Sequence, residues 1–232
     1  MPTRPEQLPL GLPGLDAMRR EDFLEAPSNR VALAAIEAPG GLPQGKLILT
    51  GPAGAGKTHL ARIWADANRA HGVDAGALAA ELPALLASPE RQAIVMDDAE
   101  RVAGTDGEEA LFHLHNRLQD ARGALLLTAR RPVRDWGLAL PDLVSRLTAT
   151  THLALEPPDD ALLAAVLVKL FSDRQIHVAP PLIGFLLNRM ERSLAQARAV
   201  VAALDARALA QKRPVSRQLA AEILARGLDN DG

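Results

Sequence analysis

Eight consecutive residues carry the strongest chemical signal in this sequence. They match the pattern G-x-x-x-x-G-K-[ST], which is typical of a loop that binds the phosphates of a nucleotide. Glycines let successive backbone N–H groups face a polyphosphate, because a side chain at these positions would obstruct them. The loop consists of Gly51, Pro52, Ala53, Gly54, Ala55, Gly56, Lys57 and Thr58. The alternative interpretation is a glycine-rich turn that caps a helix.

The residues on either side of this loop supply the context that a phosphate-binding loop requires. A β-rich run, residues 46–50, precedes it, and a helix-compatible run, residues 59–65, follows it. The N-terminus of that helix adds a positive dipole end. We expect Lys57 to reach the β- and γ-phosphates and Thr58 to hold Mg²⁺. The sequence therefore predicts binding of a nucleoside triphosphate or diphosphate with Mg²⁺.

Two carboxylates, Asp97 and Asp98, end the apolar run Ile94-Val95-Met96. In a parallel sheet the end of this strand lies beside the phosphate loop, where phosphoryl-transfer enzymes hold Mg²⁺ and orient water. We expect Asp97 to contact Mg²⁺ through water and Asp98 to act as the base that positions the attacking water. Taken alone, a strand that ends in two aspartates indicates only a turn.

Thr128 ends a further apolar run, Leu125-Leu126-Leu127. If this strand is inserted between the loop strand and the Asp97 strand, Thr128 lies near the γ-phosphate and acts as a polar sensor. The alternative is an ordinary solvated threonine at a strand end.

The bulk composition limits the class of protein. The chain has 232 residues, a net charge of −2 and no cysteine, so disulfides and thiolate metal sites are excluded. The N-terminus lacks the apolar region of a secretory signal, and no apolar stretch reaches the roughly twenty residues that a membrane span needs. We therefore expect a cytoplasmic protein without a membrane partner. The charge gives no global reason to expect nucleic-acid binding.

Alternating strand and helix patterns predict the fold class. Strands are predicted over residues 47–50, 93–97, 124–128 and 152–155, of which the middle two are continuous apolar runs. A helical stripe covers residues 107–122. This alternation indicates an α/β fold with a three-layer parallel sheet. Only helical patterns follow residue 158. We expect three parts: a flexible tail (1–19), a nucleotide-binding α/β domain (20–157) and a small all-helical lid domain (158–232).

The order of these motifs resembles the AAA+ class, and within it the bacterial replication initiator DnaA and its relatives. Five segments carry the resemblance: Asp22 to Ala32, the loop Gly51 to His59, Asp97-Asp98, Thr128 to Pro132, and Asp142 to Leu147. The resemblance implies that an adenine nucleotide, ADP or ATP, binds between the sheet domain and the lid, with His59 part of the phosphate loop.

The resemblance also implies roles for two arginines. Arg146 is similar to an arginine finger that acts on a neighbour's nucleotide, although a solvated surface arginine is the alternative. Arg192 matches the second sensor of this class. It precedes Ser193, which we expect to cap the longest lid helix, and a bound phosphate would relieve the unfavourable position of a cation at a helix N-terminus. Arg189 and Arg198 are nearby alternatives.

The two ends of the chain differ from the initiator. We expect no helix-turn-helix domain after the lid, and hence no direct sequence-specific DNA binding. The N-terminal run Gln7-Leu8-Pro9-Leu10-Gly11-Leu12 resembles a peptide that binds the DNA polymerase sliding clamp, through Gln7, Leu8, Leu10 and Leu12. Pro9 departs from the commoner serine or aspartate, and the final aromatic residue is missing.

Together these features resemble the regulatory inactivators related to the initiator. The resemblance implies negative regulation of replication initiation: with the sliding clamp, the protein would stimulate ATP hydrolysis by DnaA through Arg146. Its own turnover would be weak or absent, and a homodimer is possible. The alternatives are an autonomous AAA+ ATPase that loads helicase or remodels DNA, and a small-molecule P-loop kinase.

Overall fold

A parallel sheet of five strands forms the centre of the computed structural model, which describes residues 18–88 and 92–226. The strands are β1 (Lys46–Thr50), β2 (His71–Asp74), β3 (Ala93–Asp97), β4 (Ala124–Ala129) and β5 (Thr151–Ala154). Their order is β2-β3-β4-β1-β5, and every neighbouring pair is parallel. The predicted fold class is confirmed, and so is the insertion of β4 between β1 and β3.

Helices cover both faces of the sheet. On one face lie α1 (Arg30–Ile36) and α2 (Lys57–Asn68), and on the other lie α3 (Leu78–Ala87), α4 (Gly107–Asp120) and α5 (Pro141–Ala149). Successive side chains of a strand point to opposite faces. Leu47 and Leu49 therefore enter the core under α1 and α2, whereas Ile48 enters the core under α3 to α5. Both cores are apolar, which explains the continuous apolar runs of the central strands.

Strand β2 and helix α3 were not predicted from the sequence. Strand β2 lies at the edge of the sheet and reads His71-Gly72-Val73-Asp74, in which only Val73 is buried. It pairs along one side only, with β3, so it needs neither a continuous apolar run nor strict alternation. Helix α3 contains Pro83, a residue type that usually indicates a helix end. The sequence of neither element therefore shows the pattern that is typical of its secondary structure.

Four further helices form the lid: α6 (Asp160–Asp173), α7 (Pro180–Leu187), α8 (Leu194–Gln211) and α9 (Arg217–Arg226). They enclose a core of their own, separate from the two beside the sheet, which includes Leu163, Leu167, Phe171, Leu186, Val201, Leu204 and Leu219. Even α8, the longest helix in the described residues, is not long and apolar enough to cross a bilayer.

The segment before α1 connects the lid with the sheet domain. Phe23 packs into the core under α1 and α2, while Ala26 packs into the lid core. Between the two parts, the Lys169 ammonium of α6 donates to Asp22 Oδ1 at 2.7 Å. Within α6 the same ammonium donates to Asp173 Oδ2 at 2.8 Å. Burial alone would raise the pKa of Asp22, but the hydrogen bond and charge of Lys169 outweigh it and lower that pKa.

We predict that Asp22→Asn lowers the free energy of unfolding by about 1–2 kcal/mol at neutral pH, because the variant removes a charged hydrogen-bond acceptor. The side chain of Asp22 is only 17% exposed. The folded pKa lies below the usual 3.8, so this contribution is complete above that pH. It is lost as the pH falls through the folded pKa. Urea unfolding of both proteins from acid to neutral pH would measure the difference.

The matched control is Asp173→Asn, which removes the other carboxylate from the same ammonium. The side chain of Asp173 is 44% exposed, and exposed ion pairs contribute only about 0–1 kcal/mol. An equal loss for both variants, or a loss at Asp22 that does not change with pH, would contradict this account of the contact.

Candidate nucleotide-binding site

Residues 51–56 of the phosphate loop lie between the end of β1 and the start of α2, and its last two residues, Lys57 and Thr58, begin α2. This is the predicted order of strand, loop and helix. Gly54 has φ +73°, and a Cβ there would overlap the hydroxyl of Ser193 in the lid. Gly51 has φ +147°, and its Cβ would lie 2.5 Å from the Leu155 carbonyl oxygen. Both positions require glycine because backbone angle and space are restricted together.

Lys57 is folded back onto its own loop. Its ammonium donates to the Gly51 oxygen at 2.8 Å and to the Pro52 oxygen at 2.9 Å, and the residue is buried. Burial lowers the pKa of Lys57, and the negative charges of Asp98, Asp97 and Glu100 oppose that shift in part. Two carbonyls thus partly replace hydration of this cation, which makes it a strong donor for a phosphate oxygen.

Thr58 and Asp97 come together as predicted. The Thr58 hydroxyl at the start of α2 donates to Asp97 Oδ2 at the end of β3, at 2.7 Å. A hydroxyl and a carboxylate are oxygen ligands of the kind Mg²⁺ prefers, with phosphates and water completing the shell. Among the described residues no cluster of three or more acidic, histidine or cysteine side chains could hold a metal. The two oxygen donors fit Mg²⁺, and its binding here stays a prediction.

Thr128 is fully buried and bonded to both aspartates. Its hydroxyl donates to Asp97 Oδ1 and accepts from the backbone N–H of Asp98 at 3.1 Å. The parallel register of β3 and β4 brings these strand ends side by side. In this arrangement the hydroxyl orients Asp97, and its role as a sensor of the γ-phosphate stays a prediction.

Asp98 faces a cation that the sequence analysis did not assign. It adopts the left-handed conformation, with φ 48°, and its Oδ1 lies 3.7 Å from Nε of Arg130. Glu100 accepts from the backbone N–H of Arg130 at 2.8 Å, while its second carboxylate oxygen is buried without a hydrogen bond. Glu100 is thus a third carboxylate near Lys57. In the sequence, the acidic run from Asp97 to Glu100 was the only signal that could have indicated a role for Glu100.

A cleft beside the loop lies between the N-terminal segment, α2 and the lid. Both apolar and charged side chains line it, a combination that is common in ligand-binding sites. The lining residues are Asp22, Phe23, Leu24, Asn29, His59, Leu162, Val166, Lys169, Leu170, Asp173, Leu194 and Arg198. The place of Lys169 in the cleft was not predicted, because in a helical sequence pattern a lysine that lines a cleft cannot be distinguished from a lysine in a surface ion pair.

His59 lies at the junction of these three parts. Nε2 of its ring lies 2.9 Å from the Arg19 carbonyl oxygen, and Arg198 donates to Nδ1 at 3.2 Å. The ring of Phe23 packs edge-on against it, with centroids 5.1 Å apart. Burial lowers the pKa of His59, so the neutral ring, with its proton on Nε2, matches both contacts. His59 faces the cleft and links it to the loop.

Arg192 pairs with a lid residue in the structure, and its role as second sensor stays a prediction. Its guanidinium is exposed and pairs with Asp160 of α6 at 3.1 Å. The neighbouring prediction is confirmed, because the Ser193 hydroxyl caps α8 and accepts from the Gln196 N–H at 3.3 Å. Arg198, which we considered as an alternative, is the arginine that lines the cleft.

Arg146 lies at the opposite edge of the sheet from the loop. It is exposed on α5, and within the described residues its guanidinium makes no hydrogen bond or ion pair. Its charge contributes to lowering the pKa of Lys46, at the start of β1, and of buried His115, which falls to about 4 mainly because of burial. The phosphate loop follows the other end of β1. A strand of five residues spans roughly 15 Å, which separates the loop from the start of β1.

The lid contacts the phosphate loop directly. The backbone N–H of Leu194, the first residue of α8, donates to the Gly54 carbonyl oxygen at 2.9 Å. A displacement of the loop at Gly54 therefore moves the start of α8. The four residues predicted to bind a partner, Gln7, Leu8, Leu10 and Leu12, lie outside the described residues.

Comparison with solved structures identifies the fold, although no protein-family model matches the sequence. Domain III of the replication initiation protein DnaA from Thermotoga maritima has a TM-score of 0.80 at 19% identity, over 92% of this chain and 98% of that chain. AMPPCP-bound DnaA from Aquifex aeolicus gives 0.66 at 19% identity, over 78% of this chain and 63% of that one.

A third structure, the Holliday junction branch migration motor RuvB from Thermotoga maritima, gives 0.70 at 21% identity, over 88% of this chain and 70% of that chain. At such identities the similarity concerns the fold. The chain has the fold of DnaA domain III and RuvB, a five-stranded parallel sheet followed by a helical lid.

We predict that Gly54→Ala destabilises the protein more than Gly41→Ala, because the two glycines share a positive φ but differ in the space around them. Gly41 has φ +78°, and nothing lies within 4 Å of a Cβ added there. Only the backbone strain of about 1 kcal/mol applies at that position. At Gly54 the overlap with Ser193 adds about 1–3 kcal/mol. Thermal unfolding of both variants measures this difference, and equal losses would contradict the loop–lid contact.

Proposed function

We propose that this protein binds an adenine nucleotide between sheet and lid and acts on the nucleotide of another AAA+ protein through Arg146. The observation that supports this most strongly is the separation of two sets of residues. The loop, Thr58 and Asp97 gather at the carboxyl ends of the strands, whereas Arg146 is exposed at the other edge. A cation in that position lies near the start of β1, whereas the chain's own phosphate loop follows the end of that strand.

The residues at the first edge fit a bound nucleotide. Lys57 would exchange its two loop carbonyls for phosphate oxygens, and the amides at the start of α2 would receive the remaining negative charge. Thr58 and Asp97 would hold Mg²⁺, which neutralises phosphate charge when it is bound. Phe23, His59 and Arg198 would contact the base or the sugar. DnaA from Aquifex aeolicus, which shares this fold, has been solved with AMPPCP.

The proposed biological role is that of an Hda-type regulatory inactivator of DnaA. The tail, residues 1–19, would bind the sliding clamp through Gln7, Leu8, Leu10 and Leu12. Residues 20–157 and 158–232 would form the nucleotide-binding domain and its lid. Arg146 would then stimulate hydrolysis of ATP held by the initiator, with Asp98 serving any weak turnover of the chain's own nucleotide. This regulation would take place in the cytoplasm, where DnaA and the clamp act on DNA.

A second candidate is an autonomous AAA+ ATPase that loads helicase or remodels DNA. The similarity in fold to RuvB, named as a branch migration motor, favours it. This candidate requires steady ATP turnover by the purified protein and nucleic-acid affinity that falls with salt. The regulatory role requires neither, so both properties distinguish the two.

We predict that Arg146→Ala reduces the stimulated hydrolysis of initiator-bound ATP by a factor on the order of 10³, because a cation supplied in trans to a γ-phosphate contributes about 10³–10⁵ in rate. The assay measures labelled ATP on DnaA in the presence of clamp-loaded DNA. The affinity of the variant for ADP should be unchanged, since Arg146 is remote from its own loop.

Two further variants complete this assay. Arg134→Ala removes another exposed arginine, whose side chain is 83% exposed, and should stimulate hydrolysis as the wild type does. The double variant Leu8→Ala, Leu10→Ala should lose the stimulation that depends on clamp-loaded DNA. Full stimulation by Arg146→Ala would rule out the finger, and full stimulation by the leucine variant would remove the clamp from the proposal.

A further inference from the structure

Glu108 is a buried carboxylate in the first turn of α4. The residue is 6% exposed, and among the described residues no cation pairs with it. Three backbone N–H groups take the place of a cation: Gly104 donates to Oε1 at 2.8 Å, and Ala139 and Leu140 donate to Oε2 at 2.8 Å and 2.9 Å. Burial alone would raise the pKa of Glu108, but these bonds outweigh it and lower that pKa.

The two residues bonded to Oε2 lead directly into α5. Leu140 is the residue before the helix, its side chain provides no cap, and Pro141 follows at the first helical position. The ring of a proline fixes its own φ, so the direction in which α5 begins depends on how residues 139 and 140 are held. Glu108 of α4 thus fixes the start of α5 at two consecutive amides.

Helix α5 is the element that carries Arg146. Leu143 and Leu147 are fully buried under the sheet, one turn apart, and Arg146, next to Leu147, is exposed on the flank of the same helix. The buried leucines restrain rotation of α5, while its N-terminal end is held by Glu108. Arg146 is five residues from Pro141, about 7.5 Å along the helix axis. A change of direction at Leu140 is therefore transmitted to the guanidinium.

We propose that Glu108 is a positioning residue for Arg146, which it serves by fixing the start of α5. The inference rests on the function proposed above. Glu108 would touch neither the partner protein nor its nucleotide, so its effect would reach the reaction only through the placement of the guanidinium. A displacement of about 1 Å at a reacting group can cost about 100-fold in rate.

The test compares Glu108→Ala and Glu108→Gln with Glu109→Ala in the stimulated-hydrolysis assay. Glu109 is the next residue of the same helix, but its side chain is 79% exposed. We expect Glu108→Ala to lower the maximal stimulated rate on the order of 10- to 100-fold, with an unchanged half-saturating concentration. Glu108→Gln, which keeps one acceptor oxygen, should lose less. Glu109→Ala should match the wild type.

Hydrogen exchange at single-residue resolution supplies the second measurement. The amides of Ala139 and Leu140 should exchange faster in both Glu108 variants, whereas the amides of α2 and the affinity for ADP stay as in the wild type. If Glu108→Ala does not fold, Glu108→Gln decides the question alone. Faster exchange together with a lower maximal rate supports the proposal.

The outcomes separate this inference from the proposed function. If Arg146→Ala stimulates hydrolysis fully, the proposed function is wrong and the positioning role fails with it. If Arg146→Ala is inactive while a folded Glu108 variant keeps the wild-type maximal rate, only the positioning role is overturned. If Glu109→Ala lowers the maximal rate as much as Glu108→Ala does, the positioning role is also overturned, because the loss would then not depend on the buried carboxylate.

Discussion

The parallel direction of all five strands is the constraint on which the rest of the structure depends. It gathers the carboxyl ends of β1, β3 and β4 at one edge, so the phosphate loop, Asp97 and Thr128 become neighbours. The same constraint places the end of α5, which precedes β5, at the opposite edge. One sheet therefore presents the phosphate loop at one end of its strands and an exposed arginine at the other.

Polar groups at the first edge satisfy one another in a short chain of hydrogen bonds. Thr58, Asp97 and Thr128 are joined in sequence, and Lys57 uses the carbonyls of its own loop. Buried polar groups that are fully bonded hold their positions rigidly. At Gly54 the loop also contacts the first residue of the lid. A ligand that draws Lys57 away from the carbonyls would change the loop, and through Gly54 it would reach the lid.

Much of this arrangement could be predicted from the sequence, because central strands in parallel sheets are continuous apolar runs. Strands β3 and β4 have such runs, and the order of motifs placed β4 correctly. The edge strand β2 needs burial at Val73 alone, so it left no pattern. The directions of side chains were harder to predict than the strands. Spacing placed Arg192 and Arg198 near the cleft, but only the packing of α6 and α8 shows that Arg192 meets Asp160.

The central claim is that the cleft between sheet and lid binds an adenine nucleotide through Lys57. Calorimetric titration of the wild type with ADP and Mg²⁺ tests it most directly, with Lys57→Met and, as a control on an exposed lysine, Lys212→Met. We expect one saturable site in the wild type and in Lys212→Met. The affinity of Lys57→Met should be lower by a factor of at least about 10, since a charge-assisted hydrogen bond contributes about 1.5–3 kcal/mol. Absence of binding heat, or equal affinity in all three proteins, would contradict the claim.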